Sequence, residues 1–299
     1  MNIWRCPTSE RFPPAEPVAF RGIDVELQIH RKSIDSAQLM NIDLRKSILN
    51  RLDSERRALV REDEILEILP RVTRIRATDH SQHGIIWCSL NEENADAAIQ
   101  GEIEFHRSLG VGFEWKVYGH DKPGDLLSRL ERAGFRIGPR EAVLVLDLAR
   151  AGNLLDEIHL RDVVRVDRIA QLADFRLVAE EVFEKNYAFT TTQLADAIQR
   201  ESVQHRGYVA YLDGEPASIG RLYTHPDSWF GGLYGGCTRR KFRGRGLYRA
   251  VVSARARDAA ALGAKYLVVD ALPTSRPILE RLGFEWVTDT WPCEREATK

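Results

Sequence analysis

A six-residue segment of this 299-residue chain occurs twice, half a chain length apart. Residues 130–135 read LERAGF and residues 279–284 read LERLGF, an offset of 149 residues between positions 130 and 279. The same offset aligns two further pairs of residues, Asp121 with Asp270 and Cys88 with Cys237. A helix that ends in glycine before an apolar strand is ordinary by itself, but three matches in one register favour a duplicated unit. We therefore expect features of both halves to serve the fold, and features of one half to serve function.

Strand-like and helix-like segments alternate in both halves. The first half predicts strands at 84–90, 113–119 and 142–148 and helices at 92–109 and 125–134. The second half predicts helices at 167–185, 192–201, 247–262 and 275–283, a hairpin at 207–223, and strands at 228–236, 265–271 and 284–291. Apolar residues at helical spacing over 35–69 predict one or two more helices. This alternation indicates an α/β protein.

The repeat and the prolines suggest where the units begin and end. Residues 1–22 hold four prolines among charged residues, which predicts an extended arm. We expect one unit at residues 23–150 and a second at residues 160–299.

Composition excludes several classes of protein. The chain carries 43 basic and 44 acidic residues, a net charge of −1, which argues against nucleic acid as its main partner. Its four cysteines and eight histidines show no spacing typical of disulfide frameworks or metal sites. No signal peptide and no apolar run of membrane-spanning length is evident. We expect a cytoplasmic protein with no metal and no membrane partner.

One glycine- and arginine-rich loop occurs only in the second half. It joins a glycine-rich strand to a long helix and contains Arg243, Gly244, Arg245, Gly246, Leu247 and Tyr248. Glycines let several backbone N–H groups converge, and the following helix adds the positive end of its dipole. Such a loop binds phosphate or pyrophosphate. It lacks the Gly-Lys-Ser/Thr of a P-loop and the G-x-G-x-x-G of a dinucleotide fingerprint. The flanking basic residues Arg239, Arg240, Lys241 and Arg249 are expected to add charge around it.

The order of strand, Arg-Gly-x-Gly loop, long helix, strand and short helix ending in Gly-Phe resembles the GNAT superfamily of acetyl-CoA-dependent N-acyltransferases. The family's pyrophosphate loop reads Gln/Arg-x-x-Gly-x-Gly/Ala, and here Arg243 and Gly246 fill its first and fourth positions. The sixth position holds Tyr248 instead of glycine or alanine. The resemblance covers residues 160–299 and, less completely, residues 84–148. It implies two GNAT-like units in tandem, each a mostly antiparallel mixed sheet flanked by helices, with the first unit degenerate and lacking the loop.

The resemblance also implies a notch for the pantetheine arm of acetyl-CoA. In the family, the strand ending at Cys237 and Thr238 splays from the strand at 265–271. The glycines Gly231, Gly232, Gly235 and Gly236 fit a close approach by a ligand, and they equally fit a β-bulge or close packing. Ser275 stands where the family often places a residue near pantetheine, although a simple helix N-cap explains it as well.

The reaction implied is direct attack of an amine on the thioester. Many family members use a tyrosine as the acid, at the position where this chain has Leu279. Tyr234, Ser275 or solvent is then needed as the proton donor. Asp270 is a candidate base, but its partner Asp121 in the half without the loop favours a turn or cap role. Cys237 could carry an acyl group, but its partner Cys88 and the lack of a histidine base favour packing.

Three functions stay open on this evidence. The first is an N-acetyltransferase acting on a small-molecule or peptide amine, with the active site in the second unit. The second is a CoA-binding sensor or structural protein without catalysis. The third takes residues 239–249, with six basic residues in eleven, as an RNA-binding patch, against which the overall charge and the few aromatic residues count. Four residues lie where the family's substrate-covering helices are expected, Glu180, Glu181, Glu184 and Tyr187.

Overall fold

A computed structural model describes residues 42–78, 82–155 and 162–297. The predicted arm at 1–22 and the start of the predicted helix at 35–41 lie outside these residues. The described first half contains α1 (Ile42–Ala58), β1 (Glu64–Ile68), β2 (Val72–Ala77), β3 (His83–Cys88), α2 (Ala95–Ser108), β4 (Phe113–Tyr118), α3 (Leu126–Arg132), β5 (Arg136–Ile137) and β6 (Glu141–Asp147).

The second half repeats and extends this order. It contains α4 (Gly152–Leu155), β7 (Asp162–Val166), α5 (Leu172–Phe183), α6 (Ala188–Gln199), β8 (His205–Leu212), β9 (Glu215–Tyr223), β10 (Phe230–Thr238), α7 (Leu247–Ala261), β11 (Tyr266–Ala271), α8 (Arg276–Arg281) and β12 (Glu285–Arg295). Among the helices of both halves, none combines the length and the apolar character that crossing a membrane needs, within the described residues.

All the described strands join one mixed sheet. Its order is β1-β2-β3-β4-β12-β6-β11-β10-β9-β8-β7, with β5 paired to β12. The pairs β3–β4 and β10–β11 are parallel, and the other pairs are antiparallel. Helices cover the sheet, as the burial of Ile99 in α2, Phe175 in α5 and Val251 in α7 shows. The predicted α/β fold with a mostly antiparallel mixed sheet is confirmed.

The two halves exchange their last long strands. β6, from the first half, pairs with β11 of the second half over six residue pairs, from Asp147↔Tyr266 to Ala142↔Ala271. β12, from the second half, pairs with β4 of the first, from Thr290↔Tyr118 to Arg295↔Phe113. The expected units at 23–150 and 160–299 therefore share one sheet, although the chain passes from one to the other only once.

The repeated hexapeptide has the same role in both halves. Leu130 in α3 and Leu279 in α8 are fully buried. Gly134 and Gly283 follow these helices with φ of 87° and 93°, a left-handed conformation that glycine adopts without strain. The repeat therefore encodes two matching helix ends, each of which leads into a strand.

The predicted helix over 35–69 is wrong in its second part. α1 ends at Ala58, and Glu64–Ile68 forms β1, which pairs with β2. The apolar residues Ile65, Leu66 and Ile68 do not alternate strictly, so their spacing fits a helix as well as a strand. Pairing with β2 makes this segment a strand and not a helix, and local spacing of apolar residues does not reveal that pairing.

Candidate functional site

Strands β10 and β11 separate part-way along their length. They pair at Phe230↔Tyr266, Gly231↔Leu267 and Gly232↔Val268. Beyond Gly232, β10 continues to Thr238 and β11 continues to Ala271 without pairing to each other. The separation leaves backbone N–H and C=O groups of both strands facing a notch, where a ligand can pair with them. The two strands thus separate as the family resemblance implies.

The glycines of β10 serve the shape of the strand. The register with β9 shifts between Tyr234 and Cys237, a β-bulge in which Gly235 has a φ of 54°. A Cβ at Gly231 would lie 2.9 Å from the Cβ of Ala259, and one at Gly236 would lie 3.0 Å from the Tyr248 ring. The bulge and close packing that the sequence left open as explanations are therefore both present.

The glycine loop turns tightly at the start of α7. Gly244 and Gly246 have φ of 76° and 77°, and Gly246 is the N-cap of the helix. No heavy atom lies within 4 Å of a Cβ built at either position, so backbone conformation, not crowding, requires glycine there. The Arg243 Nε donates to the Thr238 carbonyl at 3.1 Å, which ties the loop to the end of β10. The N-terminus of α7, where helix N–H groups lack intrahelical partners, thus begins beside the notch.

Two of the basic residues near the loop are neutralised within the protein. Arg239 pairs with Glu181 at 2.6 Å, and Lys241 pairs with Glu215. The Arg239 guanidinium holds the pKa of Glu181 below its ordinary value. Arg239 and Lys241 therefore add less net charge around the loop than expected, and Arg240, Lys241 and Arg243 are exposed.

A cavity of about 140 Å³ lies at the junction of the two halves. Half of its lining residues fall within 52–118 and half within 223–270. Tyr234 and Asp270, the two candidate catalytic residues, both line it, together with Gly232 at the start of the notch. The cavity therefore brings residues of the first half against the chemistry-bearing strands of the second.

Asp270 is held by a lysine from the other half. The Lys116 Nζ lies 3.1 Å from the Asp270 Oδ2 and 3.0 Å from the Glu141 Oε2. Burial disfavours the charged form of Lys116, but the two carboxylates raise its pKa well above the ordinary value. The turn or cap role that the repeat suggested for Asp270 is wrong. Asp121 follows β4 and accepts from the Tyr118 N–H at 2.8 Å, whereas Asp270 lies within β11 and faces the cavity.

The Tyr234 side chain folds back over the notch. A Cβ at Gly232 would lie 2.8 Å from the Tyr234 hydroxyl, which places this hydroxyl above the last paired residue of β10. The Arg61 guanidinium lies 5.1 Å from the centre of the ring. Burial raises the pKa of Tyr234, Arg61 opposes that shift and Asp270 adds to it. Tyr234 is therefore protonated at neutral pH, as a proton donor must be.

Comparison with known families matches residues 172–284 to the model of the acetyltransferase (GNAT) family. Residues 172–284 are a GNAT domain. No curated protein matches the chain in sequence. The GNAT domain contains the loop, the notch and the second-half wall of the cavity, and acyl transfer is the general chemistry of this family.

Solved structures share the fold across both halves. A GCN5-related N-acetyltransferase from Kribbella flavida has a TM-score of 0.61 at 13% identity and covers 86% of this chain and 95% of its own. A conserved protein of unknown function from Staphylococcus epidermidis has a TM-score of 0.57 at 15% identity, with coverage of 82% and 98%. A tandem GNAT protein from the clavulanic acid biosynthesis pathway has a TM-score of 0.53 at 12% identity, with coverage of 81% and 86%. The tandem arrangement predicted from the repeat agrees with that fold.

Three other predicted residues of the GNAT domain do not line the cavity. Cys237 is buried in the core with Phe175 and Ile219, as a packing residue. Ser275 precedes α8 and makes no side-chain cap bond there, and its hydroxyl donates to the Leu272 carbonyl at 3.2 Å. Thr238 exchanges a hydrogen bond with the Ser218 hydroxyl at 2.8 Å.

The departures of the GNAT domain from the family motif have structural reasons. Tyr248, at the sixth loop position, fits because Gly236 in the bulge leaves room for its ring. Leu279, where many members have a tyrosine, is part of the core with Phe284. The cavity is lined instead by three tyrosines from other positions, Tyr118, Tyr223 and Tyr234.

Sequence reasoning did not identify the first-half residues of the site. Arg61 and Lys116 contact Tyr234 and Asp270, the two candidate catalytic residues of the GNAT domain. Lys116 carried a signal, because a lysine inside the apolar strand FEWKVY is fully buried only when it is paired.

Proposed function

We propose that the chain is an N-acetyltransferase that moves the acetyl group of acetyl-CoA to a primary amine in the cavity between its halves. The observation that carries the proposal is the separation of β10 and β11 at Gly232, with the glycine loop at one end and the cavity with Tyr234 and Asp270 at the other. The loop residues Arg243 to Tyr248 bind the pyrophosphate, and the pantetheine arm enters the notch. Because acetyl-CoA is a metabolite of the cell interior, we place the activity in the cytoplasm.

The reaction is direct transfer with two proton movements. The amine nitrogen attacks the thioester carbonyl carbon, the C–S bond breaks, and the CoA thiolate leaves. The Tyr234 hydroxyl gives its proton to the thiolate, and Asp270 accepts a proton from the attacking nitrogen. An acceptor that binds as an ammonium ion first loses one proton to solvent, and exchange with solvent restores Tyr234 and Asp270 after the transfer, so the protons balance. The reaction needs no metal, because the backbone N–H groups of the notch polarise the carbonyl.

Tyr234→Phe tests this assignment. We expect turnover to fall about 100-fold, since general acid catalysis contributes roughly that much, while the affinity for acetyl-CoA stays the same. The measurement is thiol release from acetyl-CoA with the best amine of a panel, beside a binding titration. Tyr211→Phe is the matched control, because the Tyr211 hydroxyl bonds Asp174 outside the cavity.

Gly232→Ala provides a second route to the same result. The added methyl group would lie 2.7 Å from the Tyr234 ring and must displace it. We expect the turnover of this variant to fall as well. Gly101→Ala, on a helix where nothing lies within 4 Å of the new Cβ, is the control. If Tyr234→Phe kept full turnover, Tyr234 would not be the proton donor.

A further inference from the structure

The polar groups around the cavity are largely engaged with one another. The Glu55 carboxylate accepts from the Trp229 N–H at 2.9 Å and also from the Ser228 hydroxyl. The Arg56 guanidinium donates to Asp53 at 2.6 Å and to the Ile86 carbonyl at 2.7 Å. Most of these donors and acceptors already have partners, although the buried Arg56 Nε has none among the described residues.

Two further basic residues of the cavity lie beside acidic or aromatic groups. Arg61 lies 3.6 Å from Glu64 and 4.8 Å from the centre of the Tyr223 ring. Lys116 lies between Glu141 and Asp270. A hydroxyl-rich acceptor would leave its own hydroxyls without hydrogen bonds in such a cavity, which costs binding energy.

Most of the rest of the wall is apolar. It is formed by aliphatic and aromatic side chains of both halves, Leu52, Leu59, Ile86, Phe230, Leu233 and Val268. A wall of this kind favours a ligand whose body is a hydrocarbon chain or ring.

One carboxylate in the cavity keeps an oxygen for a ligand. Lys116 engages the Asp270 Oδ2, and no group in the described part of the chain hydrogen-bonds the Asp270 Oδ1. Asp270 lies on β11 two residues beyond Val268, the last residue paired with β10, so its carboxylate is near the place where the thioester enters. An ammonium group bonded to Oδ1 would hold its nitrogen beside the notch.

Resting on the proposed function, we infer that the acceptor is a small primary amine on an apolar body, an alkylamine or arylalkylamine, whose ammonium group binds Asp270. The hydrocarbon part lies against the wall that α1 and β10 share. Sugar amines and other hydroxyl-rich acceptors are poor substrates because they find too few partners.

A homologous series tests this inference on the unmodified full chain. Thiol release from saturating acetyl-CoA is measured with ethylamine, propylamine, butylamine, pentylamine, 2-phenylethylamine and glucosamine. We expect kcat/KM to rise about fourfold for each added methylene until the cavity is full. We also expect 2-phenylethylamine to exceed glucosamine by at least tenfold. A flat or falling series, or a preference for glucosamine, would overturn the inference and leave the proposed function standing.

Asp270→Asn tests the ammonium site separately. We expect KM for pentylamine to rise at least tenfold, with unchanged acetyl-CoA affinity in a binding titration. Asp258→Asn is the control, because Asp258 also pairs with a basic residue, Arg206, but lies outside the cavity. An unchanged KM in Asp270→Asn would overturn the ammonium site. Failure of every amine, despite acetyl-CoA binding, would overturn both this inference and the proposed function.

Discussion

Gly246→Val is expected to weaken acetyl-CoA binding at least tenfold and to abolish turnover at ordinary acetyl-CoA concentrations. Gly246 has a φ of 77°, and a β-branched residue in that conformation costs about 1–2 kcal/mol. The loop escapes this strain by changing shape, and its N–H groups then no longer converge in front of α7. Calorimetric titration with acetyl-CoA measures the loss.

Gly263→Val is the matched control for this variant. Gly263 follows the other end of α7 with a φ of 88°, and nothing lies within 4 Å of a Cβ built there. The same side chain therefore imposes the same kind of strain on the same helix, but away from the loop. We expect similar thermal stability for the two variants and normal acetyl-CoA affinity for Gly263→Val alone. Equal affinity in both variants would show that the loop does not bind the cofactor.

The second half of the chain is expected not to fold alone. A fragment of residues 151–299 lacks β6, which supplies six residue pairs to β11 and lies between β11 and β12. It also lacks β4, the other neighbour of β12. Removing β6 takes Leu144 and Leu146 out of the core that contains Val251 of α7, and leaves the rest of that core exposed. We expect no cooperative thermal transition for this fragment, measured by near-ultraviolet circular dichroism.

Co-expression with the other half is the control for the fragment. Residues 1–150 supply β4 and β6, so the two fragments together are expected to form a complex that melts cooperatively and binds acetyl-CoA. A cooperative transition and acetyl-CoA binding by residues 151–299 alone would show that the exchanged strands are dispensable.

The features that the sequence predicted well are those specified over short distances. The loop glycines, the helix predicted at 247–262 and the hairpin predicted at 207–223 each need only neighbouring residues. The notch followed from the family resemblance, and β10 and β11 separate as that resemblance implied.

The features that were missed depend on distant residues. The exchange of β6 and β12 depends on which strands they pair with. The sequences of both strands would be equally compatible with pairing inside their own halves. The ion pair of Lys116 with Asp270 exists only because of this exchange. The 149-residue offset suggested the wrong role for Asp270. It pairs Asp270, which lies within a strand, with Asp121, which lies in a loop after a strand.

In the proposed function, the notch, the glycine loop and the cavity together form an acetyl-CoA-dependent transfer site. The most direct measurement titrates the full chain with acetyl-CoA and follows thiol release with the alkylamine series in the same preparation. We expect saturable binding of acetyl-CoA, which Gly246→Val reduces and Gly263→Val preserves. We also expect amine-dependent thiol release above the rate of hydrolysis. Absence of acetyl-CoA binding would show that the notch, the loop and the cavity do not form this transfer site. Binding with no amine-dependent release would instead indicate a CoA sensor.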